Sequence, residues 1–371
     1  MKTLGIVFSN IYDDALGELT AMRTVASLPF AGRYRQVDFI LSNMVNSGII
    51  DIGIITKYNY KSLMDHLRTS QEWDLNRKNG GLLIIPPFSS GSTGVYKGKL
   101  EALLVAKSYI QEKTDCDYVI ISDSTVLCNI DFRAIVEEHV ESGCNLTLIA
   151  DQGDSVDEKH SLVLCQDEKG TVTELLINHP RQENALAGMG MFVLSRDKLN
   201  EIIQDANARG YYHFERDFVQ KQFHEGILSL HVHRFDGVVL RNNTIHAYYQ
   251  NTMRLLEEEV RKGLFLTNAP IYTKVRDEVP TYYGLESKVE NCLLADGCVV
   301  DGNVINSVIF RNVQIQENTF VLDSIVMQGT VIGEGAHLEC VILDKNVRVS
   351  PGAVLIGTPL HPVIIKKGET V

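Results

Sequence analysis

Two textures of hydrophobic and polar positions divide the chain. Up to about residue 265, short apolar runs alternate with segments whose apolar residues recur at helical spacing. Leu4–Ser9, Asp51–Thr56, Tyr118–Ser122 and Asn145–Ala150 read as buried strands. Phe39–Asn46, Leu63–Leu67, Lys99–Ile110 and Phe132–Glu141 read as helices between them. Such alternation predicts an α/β domain, a mostly parallel sheet covered on both faces. Thr244–Arg261 reads as one longer amphipathic helix docked on the core, with Ile245, Tyr248, Tyr249, Met253 and Leu256 on one side.

After Pro280 helical periodicity stops. Runs of two or three aliphatic residues are punctuated by Gly, Asn or Asp. Small or aliphatic residues return every six positions: Cys298 and Val304; Val313, Thr319, Ile325 and Val331; Val341, Val347 and Ala353. A six-residue period predicts a parallel β-helix with three repeats per coil, and the break between Val331 and Val341 predicts an insertion at a corner. The expected division is an α/β domain over 1–265, a linker over 266–284 and a left-handed β-helix over 285–371. The β-helix is expected to act as spacer and oligomerisation surface. Hexapeptide β-helices also occur in acyltransferases with a His base, but His337 and His361 read as solvated corner residues.

A length of 371 residues fits two domains. With 44% hydrophobic and 22% charged residues the composition is that of a globular protein. The formal net charge of −12 argues against nucleic-acid binding, yet leaves room for a small anionic ligand in a local basic pocket. The seven cysteines include no CxxC pair and sit mostly in apolar runs, which suggests reduced thiols in a cytoplasmic setting and neither a disulfide framework nor a zinc site. No apolar run reaches the length of a membrane span. Met1–Ser9 is basic then apolar, too short for a secretory signal and better read as a first buried strand.

Residues Arg23 to Ile49 contain Pro29-Phe30-Ala31-Gly32-Arg33-Tyr34-Arg35, then Asp38-Phe39, Leu41-Ser42-Asn43 and Asn46-Ser47-Gly48-Ile49. This resembles the Pro-Phe-Gly-Gly-Lys-Tyr-Arg-x-x-Asp-Phe-x-Leu-Ser-Asn-x-x-Asn-Ser-Gly-Ile segment of bacterial glucose-1-phosphate adenylyltransferases (ADP-glucose pyrophosphorylases). Further matching pieces follow in the same order: Thr56-Lys57-Tyr58, Ser62-Leu63-x-x-His66, Trp73, Ile85-Pro86-Pro87, Tyr118–Ser122, Met189–Val193 and Leu343–Val347. The resemblance covers nearly the whole chain. It implies a Rossmann-like (GT-A-like) nucleotidyltransferase domain followed by the β-helix. It also implies kinship with enzymes that join ATP and glucose 1-phosphate, using Mg²⁺, and assemble as allosteric tetramers.

Nucleotidyl transfer builds charge on phosphoryl oxygens, so its site needs close backbone donors, cations and metal-holding carboxylates. The family's Gly-Gly-x-Gly-x-Arg loop falls on Asn10–Ala15, which holds no glycine, places Ala15 at the arginine and adds Asp13 and Asp14. A β-branched residue and two carboxylates oppose triphosphate there, and the loop reads as plain and solvated. The first metal-binding Asp of the family falls on Thr125. Asp123, at the carboxyl end of a buried strand, is the fallback carboxylate. The second metal-binding Asp falls on Arg241, or on Asn242 if the register slips by one. The sugar-phosphate lysine becomes His179, the serine before Met-Gly becomes Gly188, and Gly-Thr-Ala-Asp-Ala becomes Gly98-Lys99-Leu100-Glu101-Ala102.

Other positions keep the family's charge. Arg23, Arg33, Arg35 and Lys345 match basic positions linked to effector binding, although the family's lysine near the loop is Val25. Arginine forks suit a sugar bisphosphate, phosphate or AMP. The resemblance is therefore strongest to the family's non-catalytic, regulatory type of subunit. Such a subunit has no catalytic residues, metal or cofactor of its own and acts in a heterotetramer with a catalytic glucose-1-phosphate adenylyltransferase subunit that uses Mg²⁺. The alternatives are a weakly active adenylyltransferase with a rebuilt site and a stand-alone sugar-phosphate or nucleotide sensor.

Overall fold

A computed structural model describes residues 1–10, 13–87, 96–153, 159–181 and 184–371. Among them, the first domain is built on a nine-stranded mixed sheet. Its main path runs Val172–Pro180, Lys159–Gln166, Ala185–Ser195, Tyr118–Asp123, Thr3–Phe8, Asp51–Ile55, Gly81–Ile85. The chain builds outward from Thr3–Phe8 to Gly81–Ile85, then crosses back to place Tyr118–Asp123, also parallel, on the other side of the first strand. Crossing back creates a crevice outside the carboxyl ends of these two strands, the usual ligand position in such sheets. Phe8 and Asp123 end these adjacent strands side by side, as register partners.

The long Ala185–Ser195 strand serves three neighbours. It pairs antiparallel with Lys159–Gln166, with Leu146–Asp151 and with Tyr118–Asp123, shifting register between Gly188 and Met191. At that shift Gly190 has φ +66°, and a Cβ there would stand 2.5 Å from Asp123 Oδ2. Only glycine meets both demands, which accounts for the Met189-Gly190 pair. One sheet face packs on the helices Lys99–Val105 and Arg196–Arg209, the other on Gln36–Asn46 and Phe132–Ser142.

Two expected helices are broken. The Lys99–Ile110 pattern forms Lys99–Val105 and Lys107–Glu112, bent at Ala106. Thr244–Arg261 forms Ile245–Arg254, capped by the Thr244 side chain, and a separate Glu258–Leu264. In both, an apolar stripe continues across a turn that the backbone does not, and periodicity alone cannot see the interruption. Tyr248 and Tyr249 are nevertheless buried, and their hydroxyls donate to Pro29 O (2.7 Å) and Asp323 O (2.6 Å).

The C-terminal strands stack as three parallel five-stranded sheets, a left-handed β-helix. Pairing begins at Tyr282–Tyr283, inside the segment read as a linker. The middle coils advance by seventeen residues, as in Gln314 to Val331 to Arg348, one fewer than three full hexads. The strict six-residue reading therefore drifts: Thr330 and Ala336 are buried where Val331 is only half-buried. No insertion lies between Val331 and Val341. The longer coil comes later, where Ile342 pairs with Ile364 and the extra residues loop out around Thr358–His361. His337 and His361 both lie outside the buried interior. The left-handed corner backbone recurs in register, at Asn312, Gly329 and Asn346 and at Asn318, Gly335 and Gly352, residue types that adopt it at little cost.

An apolar seam joins the domains: Phe30, Phe39, Tyr248 and Leu264 pack with Val308, Phe310, Ile325 and Met327. Burial of such surface contributes about 25 cal/mol per Å², so the domains present one fixed boundary.

Candidate functional site

Charge gathers at two places, the crevice of the sheet and a cavity between the domains. The crevice opens into a cavity of about 330 Å³ lined by Lys57, Tyr96, Lys97, Asn178, His213 and Arg216 among others. Of the loop expected to face it, Ile11 and Tyr12 lie outside the described residues. The described part corrects the solvated-loop expectation for Asp13. Its carboxylate is buried, accepts from Val25 N (2.9 Å) and from the Asn10 amide, and burial pushes its pKa up to about 6. Asp13 thus ties the loop down, while Asp14 is exposed.

Thr125 and Arg241 come together in space. Val126–Leu127 pairs with Leu240–Arg241, and Asn242 N donates to Thr125 O at 2.9 Å. Divalent metal does not fit there. Thr125 offers a hydroxyl in place of a carboxylate, and the buried Arg241 guanidinium grips Asp151 with both terminal nitrogens, also reaching Ala187 O. A fixed cation therefore stands where the sequence reading expected the second metal ligand to be lost, and it uses up the nearby carboxylate.

Asp123 is not free for metal either. The Lys99 ammonium, from the first turn of its helix, lies 2.8 Å from Asp123 Oδ1 and 2.9 Å from Oδ2, and donates also to Glu215 Oε1. Burial raises the Asp123 pKa and Lys99 opposes the rise. The remaining sugar-pocket positions lie outside the residues that line the crevice cavity. His179 is exposed, with Nδ1 2.7 Å from Pro180 O; Gly188 is buried beside Leu162; and Glu101 Oε2 accepts from Lys97 N at 2.6 Å, holding the turn before the helix.

The second cavity, about 590 Å³, contains all four basic positions singled out from the sequence: Arg23, Arg33, Arg35 and Lys345. Lys61, Arg68, Lys274, Arg276, Arg311 and Lys367 also line it, against Asp65 as the one carboxylate among its lining residues. The matching family segment builds this wall. Asp38 accepts from Arg35 N (2.9 Å) at the start of Gln36–Asn46 and contacts His66 Nε2 at 2.6 Å, while His66 stands edge-on to Trp73. Arg35 then donates to Ser62 O and Oγ (2.7 and 2.9 Å), aiming its guanidinium along the wall.

Arg23 crosses the domain boundary and pairs with both oxygens of the buried Asp344 (2.7 and 2.8 Å). Arg33 lies over the Tyr34 ring at 5.2 Å. Crowding of cations has a cost: burial and neighbouring Arg35 and Arg23 push the Lys345 pKa down to about 6, and burial brings Arg35 to about 10. Sequence reading missed Lys61, Arg68, Lys274, Arg276, Arg311 and Lys367, which stand in no quoted motif and meet only when the β-helix docks.

Among the described residues no helix is long and apolar enough to cross a membrane, and no group of three or more His, Cys, Asp or Glu residues is placed to hold a metal ion. Residues 15–237 match the nucleotidyl transferase family and 279–361 the GlmU-like C-terminal hexapeptide family. The chain is 37% identical to the glycogen biosynthesis protein GlgD of Geobacillus stearothermophilus, over 99% of this chain and 96% of the relative. It is 33% identical to GlgD of Bacillus subtilis (strain 168), with the same coverage of both chains. A glucose-1-phosphate adenylyltransferase of Bacillus mycoides (strain KBAB4) is 29% identical over 95% of this chain and 94% of its own. The chain therefore belongs to the nucleotidyl transferase family, and within it to the GlgD glycogen biosynthesis proteins related to glucose-1-phosphate adenylyltransferases.

Proposed function

We propose that the chain is a regulatory, catalytically deficient subunit that acts in glycogen biosynthesis with a catalytic glucose-1-phosphate adenylyltransferase subunit. The observation that carries this reading is the buried Arg241–Asp151 pair, a fixed cation at the residue that the family resemblance aligns with a metal-binding carboxylate. Thr125 beside it supplies no charge for a metal, so a site that must stabilise phosphoryl charge with Mg²⁺ lacks its ligands. The subunit needs no metal of its own. Its β-helix packs on the first domain through the apolar seam, and packing of such a subunit can bias the conformational equilibrium of a partner without entering the partner's site.

The cavity between the domains is the regulatory site in this reading. Its arginines and lysines suit a sugar bisphosphate, phosphate or AMP, and it touches both domains, so an occupant would bear on their shared boundary. The test is ADP-glucose formation from ATP, glucose 1-phosphate and Mg²⁺. The expected result is no product from the chain alone and higher activity, or an altered anion response, when it is mixed with the catalytic subunit from the same source. Substantial product from the chain alone would overturn the proposal.

A further inference from the structure

The floor of the crevice holds a charge cluster that neither family motif nor basic cavity explains. Asp123 ends its strand at the switch point, and Glu215 enters from the Phe214–Gln220 turn. Two carboxylates converging in a crevice are what a divalent ion bridges. Here the Lys99 Nζ lies between them, 2.8 and 2.9 Å from the two Asp123 oxygens and in contact with Glu215 Oε1. The ammonium donates to Asp123 Oδ2 and to Glu215 Oε1, one hydrogen bond to each carboxylate, with Asp123 Oδ1 at ion-pair distance. The Phe8 and Phe192 ring centroids stand 5.7 and 5.9 Å away, within cation–π range.

The cluster is almost sealed, with side-chain exposures of 5% for Lys99, 2% for Asp123 and 14% for Glu215. Two glycines make it possible. Gly190 leaves room for Asp123, and Gly98 lets the start of the Lys99 helix approach Tyr212 O, where a Cβ would stand at 2.3 Å. A divalent ion and an ammonium cannot share the space between these carboxylates.

We propose that Lys99 is a resident substitute cation, closing an Asp123–Glu215 site that would otherwise bind a divalent metal. The inference rests on reading the crevice as catalytically deficient, but its readout is metal binding, so the two can fail separately. Activity of the wild-type chain alone would sink the functional reading and leave the Lys99 claim to the following titration.

Mn²⁺ is titrated into the full chain at neutral pH and followed by loss of the free-ion paramagnetic resonance signal. Wild type and Lys99→Arg should show no Asp123-dependent binding. Lys99→Met should take up one ion at least about tenfold more tightly than wild type, and Lys99→Met combined with Asp123→Asn should lose it. Lys99→Gln serves if Lys99→Met does not fold by circular dichroism. A wild-type site abolished by Asp123→Asn would overturn the proposal, as would folded Lys99→Met or Lys99→Gln chains that bind no better than wild type. The wild-type and Asp123→Asn comparison decides the first of these points even without a Lys99 variant.

Discussion

The crevice of the sheet and the cavity between the domains are both rich in charge, but they treat it in opposite ways. In the crevice each buried cation has been given an opposite charge: Lys99 bridges Asp123 and Glu215, and Arg241 grips Asp151. In the cavity, of the cations that line it, Arg23 has a close buried carboxylate and Arg311 a distant one at 3.8 Å, while Arg35, Arg68, Arg276, Lys345 and Lys367 make no ion pair with a carboxylate among the described residues. Paired buried charges satisfy each other and leave little for a ligand. Crowded cations with few ion-pair partners keep their capacity for an anion, and burial, together with the neighbouring Arg35 and Arg23, depresses the Lys345 pKa in the same place.

The largest way to break the contrast is to unpair a buried charge. Arg23→Ala strands the buried Asp344 and should cost about 3–5 kcal/mol of stability, seen as a lower thermal midpoint, with Arg23→Ala/Asp344→Asn recovering part of the loss. Gly190→Ala is expected to cost about 2–3 kcal/mol, because it combines a strained left-handed φ with a collision against Asp123; thermal denaturation reads this too. Arg276→Ala leaves the crevice intact and should weaken sulfate binding roughly tenfold by calorimetry, whereas Lys99→Arg should leave sulfate affinity unchanged.

The most gradual expected effect is a pH dependence. Sulfate stays divalent between pH 6 and 8, while the empty-cavity Lys345 loses its proton above about 6. Binding above that value must take up a proton, so sulfate affinity should fall as pH rises through the window, by at most about tenfold per unit. Lys345→Met should flatten the profile. The folded-state pKa also lies below the unfolded one, so the unfolded chain binds more protons and stability rises with pH across the interval. Lys345→Met should remove that slope in thermal midpoints measured from pH 6 to 8.

Much of this was legible in the chain. Alternating runs revealed the sheet, and the six-residue repeat revealed the β-helix, because side-chain period follows backbone geometry directly. The seventeen-residue coil was not legible, since dropping one corner residue shifts the inward positions while keeping the texture, as the exchange of Val331 for Thr330 illustrates. Broken helices escaped for a similar reason at Ala106 and Leu255. At the sites, motif register singled out Thr125 and Arg241 separately, and their meeting through the paired Val126–Leu127 and Leu240–Arg241 strands shows only in the structure. The Lys99–Glu215 and Arg23–Asp344 contacts join residues 116 and 321 positions apart, and nothing local in sequence announces such partners.

The most direct test of the contrast is a calorimetric titration of sulfate into the metal-free chain at pH 6.5. The account predicts one bound anion that Arg276→Ala and Lys345→Met weaken and Lys97→Ala, at the crevice mouth, does not. An anion site that survives both cavity variants and disappears in Lys97→Ala would contradict it, placing the receptive charge in the crevice.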